Sequence, residues 1–134
     1  MRLAALLLLA TTSVAAFAAS PAASTDARME GAYTFNEGGW TYVHLAGTPE
    51  QIGFQHGSLL TKQIEDNLQV FRVENKNTLN KDWAFFREAG RTVLWPRIEP
   101  EYQAELMGIA AGLKAHGSTM DLWDAVAVLR GRRE

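Results

Sequence analysis

Two pairs of glycines constrain most strongly how this chain can fold. Gly53 and Gly57 lie in one stretch of helical periodicity, and Gly108 and Gly112 lie in another. A glycine inside a helix costs about 1 kcal/mol in propensity relative to alanine. Four-residue spacing places each pair on one helix face, where another backbone can approach closely. We therefore expect the two faces to pack against each other or against a sheet from outside the chain; the alternative is a weak first helical turn.

The first glycine pair follows a strand and a helix start. Side chains alternate over residues 40–45, which predicts a strand. Thr48 and Gln51 form a capping box around Pro49 at the first helical position. The predicted helix extends from Thr48 to about Arg72, with an apolar stripe made of Ile52, His56, Leu59, Leu60, Ile64, Leu68 and Phe71.

The rest of the chain predicts three more helices. They cover Leu79–Leu94, Pro100–Gly117 and a short segment capped by Ser118–Asp121. The aromatic cluster in the second helix is expected to be core rather than a ligand box, because aromatic rings dominate buried area; its members are Trp83, Phe85 and Phe86. The predicted fold class is α+β, mostly helical, with one strand and about four helices.

Composition limits the classes of function. The chain has 134 residues, enough for one domain, and 47% of them are hydrophobic, so a folded core is expected. The formal charge is −2 and no basic cluster occurs between residues 19 and 129, which argues against a nucleic-acid partner. The chain contains no cysteine. That absence excludes a disulfide, a thiolate metal site and a cysteine nucleophile within these residues.

Both ends differ in composition from the middle. Residues 1–18 are interpreted as a signal peptide, with Arg2, an apolar run over Leu3–Ala10 and small residues near Ala18. This predicts a secreted or periplasmic protein without a stable membrane anchor; a retained N-terminal anchor is the alternative. Residues 19–38 are interpreted as a linker. Residues 130–134 form an aberrant charged tail, interpreted as a truncation or frameshift in preference to a basic binding segment.

No complete active site is visible in the residue chemistry. His56 lies on the apolar stripe, His44 on the strand and His116 at a helix C-terminus, where its charge complements the dipole. No histidine pair has zinc spacing, and no calcium loop, nucleophile elbow or phosphate-binding loop occurs. Ser118 and Thr119 are better explained as caps than as nucleophiles. We assign no catalytic, cofactor-binding or metal-binding residue and no cofactor.

Four motifs nevertheless resemble one enzyme family in the right order. They are Gly39–Leu60, Lys81–Phe86, Glu101–Gly112 and Asp121–Ala127. Together they make residues 39–129 similar to the N-terminal part of peptidase C45-type and phospholipase B-like hydrolases. These belong to the N-terminal nucleophile (Ntn) superfamily, with choloylglycine hydrolases and acyl-CoA:6-aminopenicillanic acid acyltransferase.

The resemblance implies an enzyme made as a precursor. Self-cleavage exposes an N-terminal cysteine whose α-amine serves as base for amide or ester hydrolysis or for acyl transfer. Residues 39–129 would be the segment before that cysteine in an αββα sandwich, and the strand at residues 40–45 would join a sheet beyond Glu134. The family's catalytic positions would also lie beyond that point. An acyl-amide or ester substrate would belong to the full-length enzyme, and this segment would associate with a catalytic chain or domain.

Three hypotheses remain open at this stage. The favoured one is an N-terminal fragment of a secreted autoproteolytic Ntn hydrolase or acyltransferase, inactive alone. The alternative is a complete small exported helical protein with a binding or structural role. The weakest is an active enzyme that uses a serine, threonine or histidine of this chain.

Overall fold

The protein is a helical assembly with one small sheet. A computed structural model describes residues 26–129, which contain five α-helices and a two-stranded antiparallel sheet. The elements are β1 Tyr33–Glu37, β2 Trp40–His44, α1 Pro49–Leu59, α2 Thr61–Leu79, α3 Trp83–Ala89, α4 Pro100–Ala115 and α5 Leu122–Val128. The predicted α+β class is confirmed, with one more strand and one more helix than expected. The predicted signal peptide and charged tail lie outside the described residues.

The extra strand forms a hairpin within the predicted linker. β1 pairs with β2 from Tyr33↔His44 to Glu37↔Trp40. Gly38 and Gly39 join the strands with φ angles of 57° and 83°, the two left-handed residues that a type I′ turn requires. The interpretation of residues 33–37 as linker is therefore wrong, and the strand at residues 40–44 finds its partner inside the chain.

The long helix predicted from Thr48 to Arg72 is two helices. Thr48 caps α1 with the expected capping box, but α1 ends at Leu59 and Leu60 has φ −118° and ψ 22°. The Thr61 hydroxyl donates to the carbonyl of Gly57 at 2.7 Å, a bond that competes with the helical ladder and bends the chain. α2 then continues beyond the predicted end to Leu79, where Asn80 adopts φ 47° and terminates it.

The second predicted helix is shorter and less regular than expected. α3 begins at Trp83, because the left-handed Asn80 separates it from α2. After α3 the chain makes a π-helical turn over Gly90–Leu94 and a 3-10 turn over Trp95–Arg97. Of the three aromatic residues expected in the core, Phe86 is buried, Trp83 is partly buried and Phe85 is exposed.

The last two helices follow the sequence more closely. α4 begins at Pro100 as predicted and ends two residues before Gly117, which has φ 80°. The cap of α5 is Asp121, in a capping box with Asp124, and not Ser118. The Ser118 hydroxyl instead donates to the Glu65 carboxylate at 2.5 Å, which ties the α4–α5 loop to α2.

The core lies where α2, α4 and α5 meet. Leu68, Leu113 and Met120 form its buried cluster. Partly buried hydrophobic side chains surround that cluster: Ile64, Trp83, Ile109 and Val128. Within residues 26–129, no helix is long and apolar enough to span a bilayer.

Candidate functional site

The four interior glycines bring α1 and α4 into direct backbone contact. A Cβ added at Gly53 would collide with the carbonyl oxygen of Glu105, and one at Gly57 with that of Ile109. The glycines of α4 face α1 in the same way: Gly108 faces the carbonyl oxygen of Glu50, and Gly112 faces the carbonyl oxygen of Phe54. This reciprocal contact, called here the glycine interface, decides between the two predicted alternatives: the glycine faces pack against each other and not against a sheet.

An apolar groove lies beside the glycine interface. It has a volume of about 520 Å³, within the range typical of small-molecule sites. Residues of four helices and the residue after α5 line it: His56, Ile64, Asn67, Phe71, Leu106, Ile109, Ala125, Val128 and Leu129. His56 of α1 and Leu106 and Ile109 of α4 lie on the side of the groove next to the glycine interface.

His56 is the ionisable group in the groove wall. Burial lowers the pKa of His56 below its usual 6.5, and the nearby Glu105 carboxylate opposes that shift. Desolvation disfavours the imidazolium, so the ring is mostly neutral at pH 7. Asn67 on α2 supplies the other polar side chain of the wall. The groove can therefore accept an apolar group. His56 and Asn67 could form hydrogen bonds with a polar atom of the same molecule.

The groove does not carry the parts of a hydrolytic site. Its lining includes no serine, threonine, lysine or carboxylate, so no nucleophile stands beside His56. The chain contains no cysteine. Among residues 26–129, no group of three or more histidine or acidic side chains could hold a metal ion.

A charge cluster around the buried Asp124 fixes α3 against α5. Asp124 is 3% exposed and accepts a hydrogen bond from the Trp83 indole nitrogen at 2.7 Å. The Arg87 guanidinium contacts Asp124 at 2.7 Å and bridges to Asp121, and these bonds raise the pKa of Arg87 and lower that of Asp121. Arg72 lies farther away, 3.6 Å from the Asp124 carboxylate. Because Trp83 and Arg87 lie on α3 and Asp124 lies on α5, these contacts fix the two helices relative to each other.

Gln55 joins the hairpin to the helical body. Its side chain is 1% exposed and its amide donates to the backbone carbonyls of Arg28 at 2.7 Å and Ala46 at 2.8 Å. Its oxygen accepts from the Ala46 N–H at 2.8 Å. The base of the hairpin is thus held to α1, while the strands beyond it are exposed to solvent.

The three histidines singled out from the sequence do not meet. His44 stacks on Tyr33 across the hairpin at 5.0 Å, and His116 occupies the exposed C-cap of α4 as expected. His56 lies in the groove wall. Sequence reasoning missed Gln55 and Asp124, although the Asp121-Leu-Trp-Asp124 spacing is a recognisable capping box. Nothing local distinguishes Gln55 from a surface glutamine.

No protein-family model, curated protein or solved structure matches this chain. The resemblance of residues 39–129 to Ntn hydrolases therefore rests on the motifs themselves.

Proposed function

We propose that this chain is the pre-nucleophile, N-terminal part of an exported Ntn-type hydrolase or acyltransferase and is inactive on its own. The observation that carries the proposal is the glycine interface. Its four glycines lie in two of the four motifs that carry the resemblance, Gly39–Leu60 and Glu101–Gly112. The motifs thus account for a helix-packing scaffold and contribute no reacting group.

The chemistry of the described residues agrees with a supporting role. A thiol nucleophile must come from elsewhere, since the chain has no cysteine. The groove also lacks a nucleophile–base pair. In this proposal a catalytic chain or domain supplies the nucleophile, the sheets of the αββα sandwich and the pocket for an amide or ester substrate. The helices of this chain would pack on those sheets.

Hydrolysis assays with and without the missing part test the proposal. The purified chain should show no turnover of chromogenic anilides or esters. Co-production with the polypeptide encoded downstream, read in all three frames, should restore turnover that depends on a cysteine of that polypeptide. Turnover by the chain alone, or the lack of any cysteine-containing continuation of the family pattern, would contradict the proposal.

A second candidate function is that of a complete small exported binding protein. The closely packed α1–α4 pair and the buried Asp124 cluster favour it, because both are satisfied within residues 26–129. A cooperative unfolding transition of the chain alone, with one midpoint by circular dichroism and by tryptophan fluorescence, would favour this function. Aggregation or a molten state would favour the enzyme fragment.

A further inference from the structure

The β1–β2 hairpin carries its aromatic residues on one face. The register pairs Tyr33 with His44 and Phe35 with Tyr42, while Trp40 lies opposite Glu37. Since paired residues and alternate residues share a face, all five rings lie on the same side of the hairpin. We call this side the aromatic face: Tyr33, Phe35, Trp40, Tyr42 and His44. The opposite side carries Thr34, Asn36, Thr41 and Val43.

The two sides of the hairpin differ in polarity. On the polar side, the Thr41 hydroxyl donates to the Asn36 side chain at 2.8 Å. On the aromatic face, Trp40 is 72% exposed and Tyr33 is 54% exposed. Sheets that are polar on one side and apolar on the other bury the apolar side. A contiguous apolar patch at the surface also marks an interaction site.

Four of the five rings are stacked in two cross-strand pairs. Phe35 and Tyr42 are parallel within 6°, with centroids 4.8 Å apart, and Tyr33 and His44 are 5.0 Å apart at 20°. Rings this close overlap partly face to face, so their edges point away from the sheet. The resulting surface is ribbed. It suits another ribbed apolar surface.

The hairpin itself supplies no lysine or arginine to hold an anionic partner. No lysine or arginine occurs from Gly31 to Thr61, whereas Glu37 lies on the face itself. Single-stranded nucleic acids stack on aromatic rings only where cationic side chains also hold the phosphates. Anionic lipid surfaces need the same cations. The charges of the hairpin therefore favour an uncharged or self-complementary partner.

We propose that the aromatic face binds the aromatic face of a second copy of this chain about a two-fold axis. Two such arrangements bring the faces together with the Phe35–Tyr42 row at the centre. In one, Glu37 lies opposite Tyr33 of the second copy; in the other, it lies opposite Trp40. Either way the carboxylate meets a hydroxyl or indole donor and never another carboxylate. This self-complementarity is what an isologous interface requires.

The available area fits a weak dimer. If the exposed surface of the five aromatic-face residues were buried completely, it would amount to at most about 500 Å² per copy, or about 1,000 Å² for the pair. That is the lower limit for a specific interface. We expect a dissociation constant in the micromolar range. The dimer goes beyond the proposed function and does not depend on it.

Sedimentation velocity of the purified chain over about 1–500 µM tests the proposal. A monomer–dimer equilibrium is expected. The double variant Phe35→Thr/Tyr42→Thr should raise the dissociation constant at least tenfold, because it removes the central row. Its matched control, Thr34→Ala/Val43→Thr, changes the opposite side and should leave the constant unchanged. Circular dichroism shows whether each variant keeps its helices.

Cysteine cross-linking gives an independent measurement, because the chain has no cysteine of its own. Phe35→Cys alone, or mixed with Tyr42→Cys, should form a disulfide dimer on mild oxidation, and Thr34→Cys should not. A monomer at every concentration, equal cross-linking from both sides, or flotation with phosphatidylcholine vesicles in place of dimer formation would overturn the proposal.

Discussion

The α1–α4 pair and the β1–β2 hairpin differ in what their specialised faces contact. The glycine faces of α1 and α4 meet each other, and the contact involves backbone on both sides. The aromatic face of the hairpin has large side chains, and its rings are exposed. Glycines allow close packing within one chain, whereas exposed rings on a hairpin are suited to contact with another molecule. The chain therefore separates its folding contacts from its proposed binding contact.

The largest expected effect comes from breaking the glycine interface. Gly108→Leu places a branched side chain against the Glu50 carbonyl, where even a Cβ would collide. Because backbone cannot move aside as a flexible side chain does, we expect unfolding free energy to fall by about 3 kcal/mol or more. Urea denaturation followed by circular dichroism measures it.

The matched control for Gly108→Leu is Ala111→Leu, which enlarges an exposed position on the same helix. We expect a change within about 0.5 kcal/mol. Equal losses from the two variants would mean that α4 does not depend on close contact with α1.

The second-largest loss of stability is expected at Gln55, which connects the hairpin to the helical body. Gln55→Ala removes four hydrogen bonds at a buried position and leaves the Ala46 N–H without its partner. We expect a loss of about 2 kcal/mol. Hydrogen exchange of the Ala46 amide should also become faster, which would locate the loss at the hairpin base.

The exposed Gln63 provides the matched control for Gln55→Ala. Gln63→Ala should change neither the unfolding midpoint nor the exchange rate. If Gln55→Ala behaves in the same way, the hairpin is held to the body by other contacts.

A smaller effect is expected from pH. Burial lowers the pKa of His56 below 6.5 in the folded chain, so the unfolded chain binds the proton first. The related stability is fully present above about pH 6.5 and is lost as the pH falls through the lowered folded-state pKa. The carboxyl groups of Asp82 and Asp121 have pKa values lowered from 3.8, so they titrate below this window.

His56→Leu isolates this pH effect. The variant should lose less stability than the unchanged chain between pH 7.5 and pH 5, as measured by the urea midpoint. His44 and His116 are present in both chains and cancel in the comparison. Parallel pH curves for the two chains would show that burial of His56 does not contribute.

The smallest effect is expected at the aromatic face. In dilute solution, Phe35→Thr/Tyr42→Thr should leave the unfolding free energy of the helical body within about 0.5 kcal/mol of its original value. The reason is that these exposed rings contribute little to the helical core. A large loss would mean that the rings stabilise the monomer, and the contrast between the two regions would disappear.

Local signals predicted the start of α1 and both ends of α4. The Thr48–Gln51 capping box, Pro100 at the start of α4 and Gly117 after its end were all found from the sequence. These features depend on hydrogen bonds and dihedral angles of neighbouring residues, which the sequence alone specifies. The hairpin could have been found in the same way, since Gly38-Gly39 separates two alternating segments.

The candidate site was less predictable, because it depends on contacts between distant residues. The groove takes its wall from four helices, and Gln55 and Asp124 gain their roles only from partners far along the chain. The break at Leu60 likewise divided the predicted long helix into α1 and α2. The periodicity of a sequence indicates which face of a helix is apolar. It does not indicate what that face will contact.

The sequence by itself therefore determined the α+β class, the capped start of α1, the start of α4 at Pro100 and the two glycine faces. Only the tertiary structure decided that the glycine faces meet each other, that the groove forms beside them and that the aromatic face of the hairpin is left exposed. The physical reason is that caps and turns are satisfied within a few residues, whereas burial depends on which distant surface supplies the complementary shape.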